Sequence, residues 1–321
     1  MSDYPTLQEG DEGPLVTYMQ SLLPHSADGD FGPITKDEVE AYQKSRGLKV
    51  DGIVGEQTWD ALENEAPPVR PEPLPGEMPV AMQKAIREIA KDSDIFGYGW
   101  KDRGVAPPGY TEGMALAFAQ TYMKLKEGDS SAEDMAKANT HNADYDALSW
   151  YAGTFNDMGM PNEQSGPDTL RHLYVLLLGL GMRESSGRHC EGRDMSASNV
   201  SSDTCEAGLF QTSYNAHSSS DEFDKLFDEY SAGQPCYLGT FEQGVSCGES
   251  EWDCYGSGNG YKFQELCKSC PTFAVETCAI TLRNLRQHYG PINRREAEIK
   301  TEADTMFHQV QEYVDEMEAV A

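Results

Sequence analysis

The chain has 321 residues, room for about two domains of ordinary size. Its 54 acidic residues against 25 basic give a formal net charge of −29, which excludes binding to nucleic acid or anionic lipid through a basic surface. The longest strongly apolar run, Leu173 to Met182, is well short of the roughly twenty residues a membrane span needs, so no membrane insertion is expected. Met1-Ser2-Asp3-Tyr4-Pro5-Thr6 has neither the basic nor the apolar region of a signal peptide. The expectation is a chain that stays in the cell or leaves it by another route.

Residues 1–65 carry an internal repeat, Asp28-Gly29-Asp30-Phe31-Gly32-Pro33-Ile34-Thr35 and Asp51-Gly52-Ile53-Val54-Gly55-Glu56-Gln57-Thr58. Both copies read Asp-Gly-x-x-Gly-x-x-Thr. The glycines suit tight turns, and each threonine is placed to cap a following helix, Thr35 with Glu38 forming a capping box. Leu15, Met19, Leu22 and Leu23, and later Val39 and Tyr42, recur at helical spacing. Three short helices joined by Asp-Gly turns are predicted. With Leu7-Gln8-Glu9-Gly10, Ala41-Tyr42-Gln43, Gly47-Leu48 and Thr58-Trp59, this stretch resembles the peptidoglycan-binding domain, a targeting module of bacterial and phage wall hydrolases. The resemblance implies binding to the cell wall and no chemistry.

Residues 66–79 contain six prolines and predict a semi-rigid extended linker. From Val80 the pattern is mainly helical: an amphipathic stretch Met82 to Ala90, then Thr111 to Lys126 and Tyr145 to Phe155. Ser165-Gly166-Pro167-Asp168 is a good helix start, and the residues after it are apolar almost all round, predicting a central buried helix. Phe273 to Tyr289 and Ala303 to Met317 are further predicted helices. Residues 187–207 and 231–262, rich in Gly, Ser and Cys, predict loops, with a short hairpin near 190–212. All eight cysteines lie between Cys190 and Cys278, and an even count in one stretch favours disulfides pinning those loops, without fixing the pairs. A zinc site on Cys247, Cys254, Cys267 and Cys270 is the weaker alternative, because only Cys267 and Cys270 have ligand-like spacing.

Glu184 closes the apolar helix in Gly181-Met182-Arg183-Glu184-Ser185-Ser186-Gly187. A carboxyl in poorly solvated surroundings resists ionising and can serve as a general acid near neutral pH. A salt bridge to Arg183 or Arg188 would cancel that. Arg183-Glu184-Ser185 followed by Gly208-Leu209-Phe210-Gln211 resembles the paired motifs of the goose-type lysozyme and lytic transglycosylase superfamily, over roughly residues 165–290. The resemblance implies that Glu184 is the catalytic acid and that Ser185 steadies it. It also implies that Gln211 binds substrate N-acetyl groups, that Tyr214 and Asn215 line the cleft, and that Tyr261 in the Gly258-Asn259-Gly260-Tyr261 loop is an aromatic contact. Goose-type enzymes carry aspartates before the turn and just after its glutamine; here Thr212 and Ser213 follow Gln211. Glu191, Asp194, Asp203 and Glu206 precede the turn, with Glu206 closest to it and Asp203 near the goose-type spacing, so both are candidate second carboxylates. Scattered histidines and the lack of a phosphate loop or dinucleotide fingerprint argue against other chemistries, and no metal or cofactor is expected.

The expectation is therefore a mainly α protein: a three-helix peptidoglycan-binding bundle (1–65), a proline linker (66–79) and a lysozyme-like α domain with disulfide-pinned loops (80–321). It would be a monomeric muramidase cutting the β-1,4 bond between N-acetylmuramic acid and N-acetylglucosamine in the periplasm or wall. The combination looks like a phage endolysin released through a holin pore, or an extracellular enzyme. A lytic transglycosylase giving 1,6-anhydro products, a chitinase, and a wall-binding protein without activity are the alternatives.

Overall fold

Two buried glutamines give the N-terminal repeat its structural meaning in the computed structural model, which describes residues 4–23, 29–64, 76–193 and 201–320. Gln20 Nε2 donates to Asp30 O and Thr35 Oγ1, both at 2.9 Å, while its Oε1 accepts from Gly29 N at 2.8 Å. Gln43 repeats the pattern, donating to Ile53 O (2.9 Å) and Thr58 Oγ1 (3.2 Å) and accepting from Gly52 N (3.1 Å). Each side chain thus satisfies backbone groups of the turn that follows its helix, groups that would be costly to bury unpaired. Asp28 of the first copy and residues 66–75 of the expected linker lie outside the described residues.

The chain divides into two compact units, residues 1–84 and 85–321. In the first, helices α1 (Pro14–Ser21), α2 (Pro33–Ser45) and α3 (Glu56–Asn64) enclose a core of Leu7, Val16, Met19, Leu23, Phe31, Val39, Val54, Trp59 and Leu62. Trp59 Nε1 donates to Pro5 O at 2.9 Å, so its one polar atom is satisfied in the core. The expected threonine cap is not found. Gly32 occupies the N-cap of α2 and Pro33 the first helical position, a site that tolerates its missing N–H. Thr35 therefore falls inside the first turn, where its hydroxyl serves Gln20 and Asp30 O.

Helix α4 (Val80–Asp92) runs into the second unit. There follow a two-stranded antiparallel hairpin, β1 (Gly99–Trp100) with β2 (Gly104–Val105), and helices α5 (Pro108–Lys126), α6 (Ser130–Met135), α7 (Ala147–Trp150), α8 (Ala152–Asp157) and α9 (Pro167–Ser185). Then come α10 (Asp221–Ala232), α11 (Leu238–Phe241), α12 (Asn259–Ser269), α13 (Pro271–Asn284), α14 (Gly290–Asn293) and α15 (Thr301–Val320). The described residues are mainly helical, and none of their helices is long and apolar enough to cross a membrane.

Helix α9 is the axis of this unit. Every residue from Thr169 to Met182 is buried, as an all-round apolar helix requires, and it packs against α5, α13 and α15. Two glycines allow the closest approaches. A Cβ on Gly179 would lie 2.2 Å from Glu298 O, and one on Gly181 would lie 2.2 Å from the Tyr110 hydroxyl. Arg171 ties the polar end of the helix to Asp168 and Asp304, both at 2.6 Å. Two fully buried glutamates of neighbouring helices are paired, Glu112 with Arg87 and Glu276 with Lys124, each at 2.7 Å.

Several expectations need correction. The hairpin forms at 99–105; near 190–212 the described residues show only the isolated bridge between Ala207 and Thr212. Strands of two residues are too short for alternation to register in the sequence. Residues 259–262, expected as loop, open helix α12, so Gly258-Asn259-Gly260-Tyr261 is the cap and first turn of a helix. Helix α13 stops at Asn284 instead of reaching Tyr289, because the Arg286 backbone N–H is drawn to Tyr145 O at 2.8 Å. Helix α10 follows a helical apolar spacing: Phe223, Leu226, Phe227 and Tyr230 are its buried face, and Ser220 caps it at Glu222 N. Disulfides join Cys190 to Cys247 and Cys236 to Cys270. The other four cysteines are unpaired; Cys205, Cys267 and Cys278 are buried and pack as small apolar residues. The zinc set fails because Cys247 and Cys270 are bonded to different partners.

Replacing Gln43 by Ala removes one turn's polar pin and leaves Gly52 N without that acceptor. The expected cost is about 1–3 kcal/mol. In the full chain, amide hydrogen exchange at residues 51–58 should speed up by on the order of tenfold or more while the second unit stays unchanged.

Candidate functional site

The last turn of α9 delivers Glu184 to the edge of the core. The helix closes with Ser186 in the left-handed conformation (φ 56°), its N–H bonded to Met182 O. The Ser185 hydroxyl donates to Gly181 O (3.1 Å) and accepts from Arg188 N (3.2 Å). Ser185 therefore locks the backbone on either side of Glu184 and makes no bond to its carboxylate.

Among the described residues, the Glu184 carboxyl has no hydrogen bond and no ion pair. Arg183 pairs with Glu296 at 3.5 Å; Arg188 pairs with Glu191 at 3.4 Å and also with Glu251. The two arginines that could have neutralised Glu184 are thus engaged elsewhere. Burial, with a further push from the Glu206 charge, raises the Glu184 pKa from 4.5 to about 8. Arg294 and Arg103 oppose the rise without cancelling it. Arg294 is committed to Glu296 through two nitrogens (2.9 and 3.0 Å), and Arg103 is bonded to Arg183 O and Ser186 Oγ. Part of Glu184 still reaches solvent, so a proton can pass to a ligand there.

The Gly208-Leu209-Phe210-Gln211 turn packs against this helix end. Gly208 has φ 73°, and a Cβ there would lie 2.6 Å from Cys267 O, so glycine is required twice over. Leu209 and Phe210 are fully buried, and a Cβ on Gly181 would lie 3.2 Å from Phe210 Cε1. Gln211 is itself left-handed (φ 50°), a rare state for a side-chain-bearing residue. Its Nε2 donates to Gly208 O at 3.1 Å, which leaves Oε1 without a protein donor among the described residues. Gly208 N donates to Glu191 O at 2.9 Å, tying the turn to the segment just after α9.

The remaining predicted residues separate. Glu206 belongs to the Glu184 group, as its charge acts on Glu184. Asp203 does not: it is exposed in the single turn Ser202–Thr204, beside Gly260, where a Cβ would meet Asp203 Oδ1 at 2.5 Å. Glu191 is held by Arg188, and Asp194 lies outside the described residues. Tyr214 stacks on His217 (centroids 4.6 Å apart) and accepts from Asn259 Nδ2 at 3.1 Å. Asn215 is exposed and accepts from Ser213 Oγ at 2.8 Å. Tyr261 feels the charges of Glu265, Cys254 and Asp253, none of which belongs to the Glu184 group. Sequence reasoning missed Arg103, placed by the short hairpin, and Gln264. The latter is buried and bonds to Ser202 O, Tyr255 O and Gly260 O at 3.0–3.1 Å, holding two loops to α12.

Residues 15–62 match the family model described as a putative peptidoglycan binding domain. An uncharacterized protein in the bpoA1 3' region of Kitasatospora aureofaciens is 39% identical over 69 residues. The match covers 19% of this chain, and the chain spans 58% of the length of that relative. A crystal structure of a Burkholderia AP3 phage endolysin aligns over 96% of this chain and 100% of its own at 12% identity, with a TM-score of 0.19. A score that low gives no ground for transferring its fold.

Two outcomes follow from this geometry. The unfolded Glu184 titrates near 4.5 and the folded one near 8, so its contribution to stability is intact below pH 4.5 and is lost as pH rises through 8. The isosteric E184Q should therefore unfold like the parent at pH 4 but be more stable at pH 9, by on the order of a few kcal/mol. Denaturant unfolding at the two pH values measures this. Gly208→Ala should lose about 2 kcal/mol or more, because a left-handed backbone and a contact with Cys267 O must both be accommodated; chemical denaturation of the variant reads the loss.

Proposed function

We propose that this chain is a peptidoglycan-degrading muramidase, a phage endolysin in character, with Glu184 as its general acid. The observation that carries the reading is the Glu184 carboxyl: unpaired, largely shielded by protein, and titrating near 8. At pH 7 such a group is protonated by roughly ten to one. It can therefore give its proton to the oxygen of a departing sugar, the step that glycosidic cleavage requires. The match of residues 15–62 to a peptidoglycan-binding family supplies the substrate. Residues 1–65 would hold the wall, and a lysozyme-like domain over 80–321, joined by the linker 66–79, would cut between N-acetylmuramic acid and N-acetylglucosamine. The enzyme would act as a monomer in the periplasm or wall after release through a holin pore.

Within the proposed site Glu206 is the second carboxylate, chosen over Asp203 because its charge reaches Glu184. As a base it activates the attacking water. Gln211 Oε1, left open by the turn, accepts from a substrate N-acetyl N–H. Tyr214 and Asn215 extend the sugar-binding surface, and Tyr261 is assigned no contact. One observation favours a second reading, a lytic transglycosylase: Thr212 and Ser213 stand where the goose-type pattern has an aspartate. In that case the substrate's own C6 hydroxyl attacks, Glu184 serves as acid and then as base, and 1,6-anhydro ends result.

Mass spectrometry of the products of purified peptidoglycan separates the two, with reducing muramic ends expected. E184Q should lose at least about a hundredfold in rate, the scale of a missing general acid. Parent activity should fall as pH rises through 8, where Glu184 loses its proton. An inert parent, across peptidoglycan and chitin oligomers, would leave only a wall-binding protein.

A further inference from the structure

Residues 188–192 and 246–252 form a second chemically equipped cluster outside the group around Glu184. Arg188 Nη2 donates to Ser246 O at 3.2 Å and pairs with Glu251, and Cys190 is bonded to Cys247. His189 is fully buried beside them, its ring near Trp252 (centroids 5.7 Å apart). Its Nδ1 lies 3.0 Å from Lys268 O. A carbonyl only accepts, so Nδ1 carries the proton and Nε2 presents a lone pair. That lone pair faces the disulfide: Nε2 is 3.7 Å from Cys247 Sγ, and the three donor atoms of His189, Cys190 and Cys247 all lie within 4.8 Å of one another.

We propose that when the Cys190–Cys247 bond is reduced, His189 Nε2 and the two cysteine sulfurs form a three-ligand site for zinc. With bonds of about 2.3 Å to sulfur and about 2.0 Å to nitrogen, tetrahedral zinc sets its sulfur and nitrogen ligands about 3.5 Å apart. The Nε2–Cys247 Sγ pair, at 3.7 Å, is already close to that spacing, and the two bonded sulfurs must part. The carbonyl behind Nδ1 is the outer partner that metal-bound histidines ordinarily have. A low-molecular-weight thiol supplies the electrons: two thiols become one disulfide, the protein S–S bond breaks, and Cys190 and Cys247 each take a proton. Zinc entry releases those two protons, forms two Zn–S bonds and one Zn–N bond, and leaves the fourth position to water.

The site is independent of any reading of Glu184. Its consequence is mechanical. Glu191, next to Cys190, accepts from Gly208 N, so whatever fixes Cys190 also braces the 208–211 turn. The disulfide does this under oxidising conditions, and zinc does it in a reducing compartment.

The test uses the full chain, reduced with a phosphine and desalted without oxygen, with cobalt(II) as the first probe. One equivalent should produce a thiolate-to-cobalt charge-transfer band that zinc abolishes, while the oxidised protein shows none. His189→Gln should weaken binding by about tenfold or more; the same loss from Cys236→Ser, in the other disulfide, would overturn the assignment. Alkylation of the reduced parent, mapped by mass spectrometry, needs no variant to fold: zinc should slow modification of Cys190 and Cys247 by about tenfold or more, bound thiolates being shielded. Protection at Cys254 and Cys267 instead, or no cobalt band in the reduced parent, overturns the proposal.

Discussion

The close approach at Gly181 is the constraint on which the second unit depends. Tyr110 on α5 lies where a side chain on residue 181 would be, and its hydroxyl donates to Leu178 O at 2.9 Å. Phe210, from the turn after the long loop, closes on the same glycine. Two segments far apart in sequence therefore meet α9 one turn before Glu184. Glu184 follows on the same helix end, and desolvation is the largest contribution to its raised pKa.

Charge could have undone this. The chain is strongly acidic, yet Arg103, Arg183, Arg188 and Arg294 all cluster at the end of α9. Each has another commitment: Arg183 and Arg294 to Glu296, Arg188 to Glu191 and Glu251, Arg103 to Arg183 O and Ser186 Oγ. None reaches the Glu184 carboxylate as a partner, so the burial penalty outweighs the residual attraction. Glu296 also adds its own repulsion to Glu184. A neutral acid is thus maintained by pairing its cationic neighbours with other acceptors.

A second recurring device is the buried glutamine used as a turn organiser. Gln20, Gln43 and Gln264 each carry a donor and an acceptor group, and each satisfies loop backbone that would otherwise be stranded in the core. The first two sit at the same distance before their Asp-Gly turns, nine residues from glycine and fifteen from threonine. That equality was present in the sequence. The position of each threonine suits a helix cap, a local role, whereas the glutamine partners lie fifteen residues back and only the packed core makes them meet.

The sequence by itself determined the long helices, because an apolar face or an all-apolar run needs no partner to be recognised. It placed Glu184 at the end of the buried helix and a glycine turn at 208–211, because the apolar run ends there and a left-handed backbone favours glycine. Tertiary structure alone decided the rest. Glu206 and not Asp203 acts on Glu184, a matter of which way a turn before Ala207 faces. Cys190 pairs with Cys247 and Cys236 with Cys270, across 57 and 34 residues of chain, while Cys205, Cys267 and Cys278 are spent on packing. And the titration of Glu184 rests on which arginines were already occupied, a competition among residues spread from 103 to 296 that no local pattern encodes.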